Sequence, residues 1–162
     1  MKPRAKLVGD YAVVSQGYER LLARYFGRLE NGVLVLDLLE LWYLLEKGMV
    51  ELEGTDKEQV YKNLCEQVPN FIVKYKVFKY FRDRNYIVKT GTKYGFDFRI
   101  YEGDPEKTHA RFVVKLVFEE ALLEPRELVA LCRIAHTVKK EVILAIYTRE
   151  ADVVFLYLSP LL

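Results

Sequence analysis

Two apolar runs near the end of the chain, Val142 to Tyr147 and Val153 to Leu158, limit what it can fold into more than any other feature. Each is about six residues long and rich in β-branched side chains, too short for a buried helix and well suited to a strand. Val142 to Tyr147 reads as a central strand, and strands that are apolar on both faces need cover on both. The final strand would expose a hydrophobic edge on a monomer, and this predicts pairing with another subunit.

The rest of the chain divides by hydrophobic period. A short extended start (Leu7, Val8, Tyr11 to Val14) precedes a helix with Tyr18, Leu21, Leu22, Tyr25 and Phe26 at helical spacing, closed by Gly27. Asn31-Gly32 marks a turn, Leu36 to Leu45 reads largely as a buried helix ending at Lys47-Gly48, and Met49 to Leu52 reads as a short strand. Thr55 with Glu58 forms a capping-box signal for a helix through about Gln67. Pro69 ends that helix and opens another with Phe71, Tyr75, Phe78 and Phe81 on one face, so we place a domain boundary here, with units 1–68 and 69–162.

From Tyr86 the period becomes two. Ile87 and Val88 begin a strand, Thr90-Gly91-Thr92 is a turn, and Phe96, Phe98 and Ile100 alternate with Asp97, Arg99 and Tyr101, which places Tyr101 on a polar face. Phe112, Val114, Leu116 and Phe118 return as the partner strand, alternating with His109, Arg111, Val113 and Lys115. Pro125 suits the first turn of a helix that buries Leu128, Leu131, Cys132 and Ala135 and turns Arg133 outward.

No apolar run approaches the roughly 20 residues that span a bilayer, and the first ten residues contain no signal-type block, so a soluble, cytoplasmic protein is expected. Cys65 and Cys132 lack metal-site or disulfide spacing and are expected as core thiols. Residues 71 to 118 hold eleven basic against five acidic side chains, whereas the segments on either side are slightly acidic. Ten aromatic residues are interleaved with that charge, from Phe71 to Tyr101. Basic and aromatic together suit a nucleic-acid surface, but core aromatics beside solvated lysines would read the same way.

Three residues stand out for chemistry: Tyr101 ending one strand, His109 starting its neighbour, and Lys140 just before Val142. If 101 to 118 is a hairpin, positions 101 and 109 face each other at roughly 5 Å between Cα atoms. Cleavage of RNA by its own 2′-hydroxyl needs a base, an acid for the departing 5′-oxygen and positive charge on the non-bridging oxygens. Imidazole suits the acid. A phenol serves as base only where nearby cations favour the phenolate, and Lys89, Lys93, Lys107 and Lys140 are candidates for that field. Each residue alone also has a plain surface or edge role, and His136 reads as a helix-end residue.

The stretch from Asn85 to Tyr101, Thr108-His109 and Arg133-Ile134-Ala135-His136-Thr137-Val138-Lys139-Lys140 resembles the catalytic half of the archaeal tRNA-splicing endonuclease family. Tyr25-Phe26-Gly27-Arg28 and Leu41 to Gly48 resemble that family's smaller N-terminal domain. The resemblance implies an α/β (α+β) chain: a small N-terminal α/β domain, then a restriction-endonuclease-like nuclease domain with a mixed central sheet. It implies cleavage of precursor tRNA at bulge-helix-bulge junctions without metal or other cofactor, leaving a 2′,3′-cyclic phosphate and a 5′-hydroxyl.

By the same resemblance Tyr101 is the base, His109 the acid and Lys140, rather than Lys139, the catalytic lysine. Arg133 would stack on a flipped bulge base, and Lys93 and Lys107 would contact RNA. The family's second stacking residue has no counterpart in Leu156-Tyr157-Leu158-Ser159-Pro160, which leaves Arg149, Tyr157 or a partner subunit to substitute. Thr148 to Asp152 matches an acidic loop that contacts another subunit, with Asp152 the candidate, in a homo-oligomer or a heterotetramer with a second endonuclease subunit. Two other readings stand beside this one. A metal-dependent restriction-type nuclease would use Asp97 with Glu102 or Glu106; a non-catalytic structural or RNA-binding subunit would use none of the three reactive side chains.

Overall fold

The computed structural model describes residues 2–90 and 95–161 and divides between Phe71 and Ile72 into two compact units. Lys93 and the Gly91-Thr92 part of the expected turn lie outside the described residues.

In the first unit, strands β1 (Arg4–Val8), β2 (Tyr11–Val14), β3 (Arg28–Glu30), β4 (Val33–Asp37) and β5 (Glu51–Glu53) form a sheet in the order β3-β4-β2-β1-β5. Among the described residues of this unit only the β1–β5 pairing is parallel. Helices α1 (Glu19–Ala23), α2 (Leu38–Glu46) and α3 (Lys57–Gln67) complete it.

The dense apolar run splits at Asp37 because that residue caps α2. Its Oδ1 accepts the Glu40 N–H at 2.8 Å, and Glu40 Oε1 accepts the Asp37 N–H at 3.1 Å, a reciprocal capping box. The other oxygen of Glu40 accepts the Gly27 N–H at 2.6 Å, and Glu40 is only 4% exposed. Gly27 has φ +66°, and a Cβ there would lie 2.5 Å from the Val35 carbonyl oxygen, so only glycine fits. At α3 the cap is Asp56, which accepts the Gln59 N–H, not Thr55: the carboxylate reaches the orphan N–H one residue later than the sequence signal suggests.

In the second unit, strands β6 (Ile87–Lys89), β7 (Phe98–Tyr101), β8 (Phe112–Phe118), β9 (Glu141–Tyr147) and β10 (Val153–Leu158) run in the order β10-β9-β8-β7-β6. β8 and β9 are parallel, joined through α5 (Pro125–Thr137), and the other pairings are antiparallel. This is a mixed sheet, with β9 inside and β10 at an edge.

One face meets α4 (Phe71–Asp83), where Tyr80 and Phe81 contact Phe155 and an aromatic chain continues through Tyr86, Phe112 and Tyr157. The other face meets α5, where Ala135 packs with Val113, Val117, Val142 and Leu144. With both faces covered, the polar face expected for Tyr101 does not exist: the residue is 6% exposed. Phe96 joins the α5-side cluster, opposite Phe98 and Ile100, although strict alternation would put all three together. The alternation breaks at Asp97, whose Oδ2 accepts the Leu116 N–H at 2.7 Å in place of a main-chain carbonyl. Neither cysteine is a core residue. Cys65 is exposed on α3 and Cys132 is half-buried.

Candidate active site

Strand register brings the three candidate residues to one end of the second sheet. Tyr101 closes β7 opposite Ile87, Ile100 pairs with Phe112 at the start of β8, and Phe112 pairs with Glu141 at the start of β9. The loop carrying His109 and the residue Lys140 therefore emerge beside the end of Tyr101's strand.

Tyr101 shares its face with Arg99, two residues back along the strand. Arg99 Nη1 donates to the Tyr101 hydroxyl at 3.1 Å, and Nη2 donates to the Thr90 carbonyl at 3.0 Å. A guanidinium cannot accept a hydrogen bond, so the phenol oxygen is held as an acceptor on that side. This cation is none of the four lysines expected from the sequence, although the period of two places Arg99 on Tyr101's face.

His109 does not stand opposite Tyr101. The ladder ends with Ile100 and Phe112, and the Arg111 N–H donates to the Ile100 carbonyl at 2.8 Å, so position 111 takes the place expected for 109. His109 is exposed in the connecting loop. That loop is shaped by Asp104: its carbonyl accepts the Lys107 and Thr108 N–H groups and its Oδ1 accepts the Glu106 N–H. Local hydrogen bonds there outcompete extension of the ladder and shift the facing pair by two residues.

Lys140 is placed by the end of α5. Lys139 has φ +57°, its N–H donates to the His136 carbonyl at 3.0 Å, and the Lys140 N–H donates to the Ala135 carbonyl at 2.8 Å. These bonds form a Schellman motif, in which the left-handed residue reverses the chain. The next N–H, of Glu141, bonds the Arg111 carbonyl at 2.9 Å and starts β9. Lys140 is thereby fixed between a helix terminus and a parallel ladder.

A cleft of about 220 Å³ opens beside it, lined by Cys132, His136, Lys140, Glu141, Tyr157 and Ser159 among others. His136, read from sequence as a helix-end residue, thus also faces this space. Glu141 Oε1 accepts a short hydrogen bond from the Tyr157 hydroxyl, and Glu141 Oε2 accepts from Arg111 Nε at 3.3 Å. Arg111 Nη1 reaches Glu102 at 3.0 Å.

The charges respond accordingly. The Tyr157 hydroxyl holds the Glu141 carboxyl below the usual carboxylate range, helped by Arg111 against partial desolvation. The same bond to Glu141 raises the Tyr157 phenol. Arg111 is raised, first by its bond to Glu141 and then by that to Glu102.

The remaining candidates divide by location. Arg133 is exposed on α5 and Lys107 is exposed in the loop after β7. Asp152 is exposed in the β9–β10 turn, where its N–H donates to Thr148 Oγ1 at 3.1 Å and Lys76 Nζ holds the neighbouring Ala151 carbonyl at 2.7 Å. Arg149 belongs to the same turn, at the opposite end of the sheet from Tyr101, and is paired with Glu120 at 2.7 Å. It is not placed to stand in for a second stacking residue beside Arg133. Tyr157 lies at the same end of the sheet as Tyr101. Of the carboxylates considered for a metal, Asp97 is engaged by a main-chain N–H and Glu102 by Arg111.

A mixed sheet lies between two helices, with titratable groups gathered where its strand ends meet. Residues 71–155 match the model of the tRNA intron endonuclease catalytic C-terminal domain, and residues 4–63 match that family's N-terminal domain. The chain is 38% identical to a tRNA-splicing endonuclease of Methanopyrus kandleri over 149 residues, covering 89% of this chain and 83% of the relative. It is 35% identical to that of Thermococcus onnurineus over 160 residues (93% and 91%) and 34% identical to that of Methanococcus maripaludis over 159 residues (93% and 90%). The chain belongs to the tRNA intron endonuclease family and carries both of its domains, so it is an enzyme that acts on RNA. Among the described residues no helix is long and apolar enough to cross a membrane.

Proposed function

We propose that the chain cuts precursor tRNA at bulge-helix-bulge junctions by in-line attack of the RNA's own 2′-hydroxyl, without metal. Tyr101 takes the 2′-hydroxyl proton, the freed oxygen bonds to phosphorus, and the bond from phosphorus to the 5′-oxygen breaks as His109 gives that oxygen a proton. The ends are a 2′,3′-cyclic phosphate and a 5′-hydroxyl. Lys140 faces the non-bridging oxygens as negative charge builds on them, and Arg99 sets a permanent positive charge against the phenol oxygen of the base.

The observation that supports this most is the strand register, which delivers the end of β7, the loop before β8 and the start of β9 to one place. Cleavage of a bulge-helix-bulge RNA in excess EDTA, with end-group analysis, tests it. Full activity with cyclic-phosphate ends is expected, and abolition by EDTA with restoration by a divalent cation would replace the mechanism with a metal-dependent one.

Arg133 is assigned to stacking on a bulge base and Lys93 and Lys107 to RNA phosphates. Assembly through the edge strand is part of the same proposal. Val154 and Leu156 are 56% and 47% exposed on β10, an apolar edge that a second subunit would cover, and Asp152 is assigned to a further subunit contact. Two sites at fixed separation would then measure the distance between two bulges. Light scattering is expected to show an oligomer for the chain alone or with a second endonuclease subunit. A free, exposed Cys65 thiol suits the cytoplasm, where we place the enzyme.

A further inference from the structure

We infer that Arg111 is a positioning residue of the cleavage reaction, a brace that keeps the segments bearing the phenol, the imidazole and the ammonium group in fixed relation. The inference rests on the reading of Tyr101, His109 and Lys140 given above. Its basis is a coincidence of sequence and geometry. Glu102 directly follows Tyr101, Glu141 directly follows Lys140, and Arg111 stands two residues after His109. The Arg111 side chain joins those two carboxylates, at 3.0 Å to Glu102 and 3.3 Å to Glu141.

The main chain of the same residue makes the same two connections. Its N–H bonds the Ile100 carbonyl at 2.8 Å, next to Tyr101, and its carbonyl accepts the Glu141 N–H at 2.9 Å, next to Lys140. One residue therefore grips both neighbouring segments twice, and its own segment carries the histidine. Glu141 extends the connection to Tyr157 on β10.

An arginine suits this position because its rigid fork can serve two carboxylates on different edges, which a lysine's point charge cannot do in fixed geometry. The pairs are exposed, with side-chain accessibilities of 41% to 54%, so they add little to stability. Their effect is on placement, where a misfit of about 1 Å can cost about 10²-fold in rate. Direct contact with an RNA phosphate is the competing role. It is disfavoured because one cation held between two carboxylates leaves the cluster with net negative charge.

The test is single-turnover cleavage of a bulge-helix-bulge RNA at saturating enzyme, with binding measured separately, for the full chain and its variants. Arg111→Ala is expected to slow saturated cleavage about 10- to 100-fold with Kd changed by less than about twofold. Arg111→Lys should recover part of the loss. Arg111→Ala combined with Glu102→Gln should be no slower than Arg111→Ala alone, because the two act as one unit.

Weaker binding with an unchanged saturated rate would make Arg111 a phosphate contact and overturn the inference. So would a wild-type rate, or multiplicative losses in the double variant. Should Arg111→Ala not fold, Glu102→Gln and Glu141→Gln carry the test, and wild-type rates in both overturn it. A parallel His109→Ala separates the two levels: full cleavage there removes the underlying mechanism, whereas a dead His109→Ala beside an unimpaired Arg111→Ala removes only the brace.

Discussion

Glu40 in the first unit and Glu141 in the second are both carboxylates that organise their surroundings, by opposite means. Glu40 is 4% exposed and accepts main-chain N–H groups from Gly27 and Asp37, so it ties together a turn and a helix start. Glu141 is 41% exposed by side chain and accepts from the side chains of Arg111 and Tyr157. A buried carboxylate bonded to backbone contributes to folding. An exposed one bonded to side chains contributes little to folding and leaves its effect in the placement of neighbouring groups.

Four measurements test this division between folding and placement. Glu40→Ala strips two main-chain donors and the capping box, and should cost about 3 kcal/mol in chemical denaturation. A loss below about 1 kcal/mol would mean that water replaces the carboxylate and that burial is not what distinguishes the two glutamates. His109→Ala should do the reverse, lowering cleavage by about 10²-fold or more, equivalent to about 2.7 kcal/mol of barrier, with RNA binding and melting temperature unchanged. Wild-type turnover would remove His109 from the chemistry.

Lys139→Gly relieves a left-handed residue at the Schellman position and should stabilise the chain by up to about 1 kcal/mol. Destabilisation instead would show that the lysine side chain, not its backbone angle, matters at the end of α5.

The smallest effect concerns pH. The folded-state value of Glu141 is lowered, so its contribution is complete above the usual carboxylate range of about pH 4 to 5 and is lost as pH falls through the lower folded value. Comparing acid titrations of stability for the parent chain and Glu141→Gln should show a slightly smaller acid-dependent loss in the variant. Identical curves would mean that the Tyr157 and Arg111 bonds do not persist in solution.

Much of this was legible in the residues themselves. The short β-branched runs announced β9 and β10, and Pro125 marked the first turn of α5. Two misreadings have local causes. Asp97 lends its carboxylate to the Leu116 N–H and so breaks the alternation, and Asp104 folds the loop so that position 111, not 109, follows the last paired residues. Arg99 could have been found, since it lies two residues from Tyr101 in a strand. Arg111 could not, because nothing near it in sequence points to a carboxylate thirty residues away.

The amino-acid order by itself marked the helices and most of the strands, β3 and β4 excepted, since period, caps and β-branching act over a few residues. It also singled out the phenol, the imidazole and the ammonium by their chemistry. Which of their neighbours meet was decided by the parallel pairing of β8 with β9 and the reversal at Lys139. That long-range register sets Glu102, Arg111 and Glu141 side by side, because only a closed ladder can fix the distance between residues far apart in the chain.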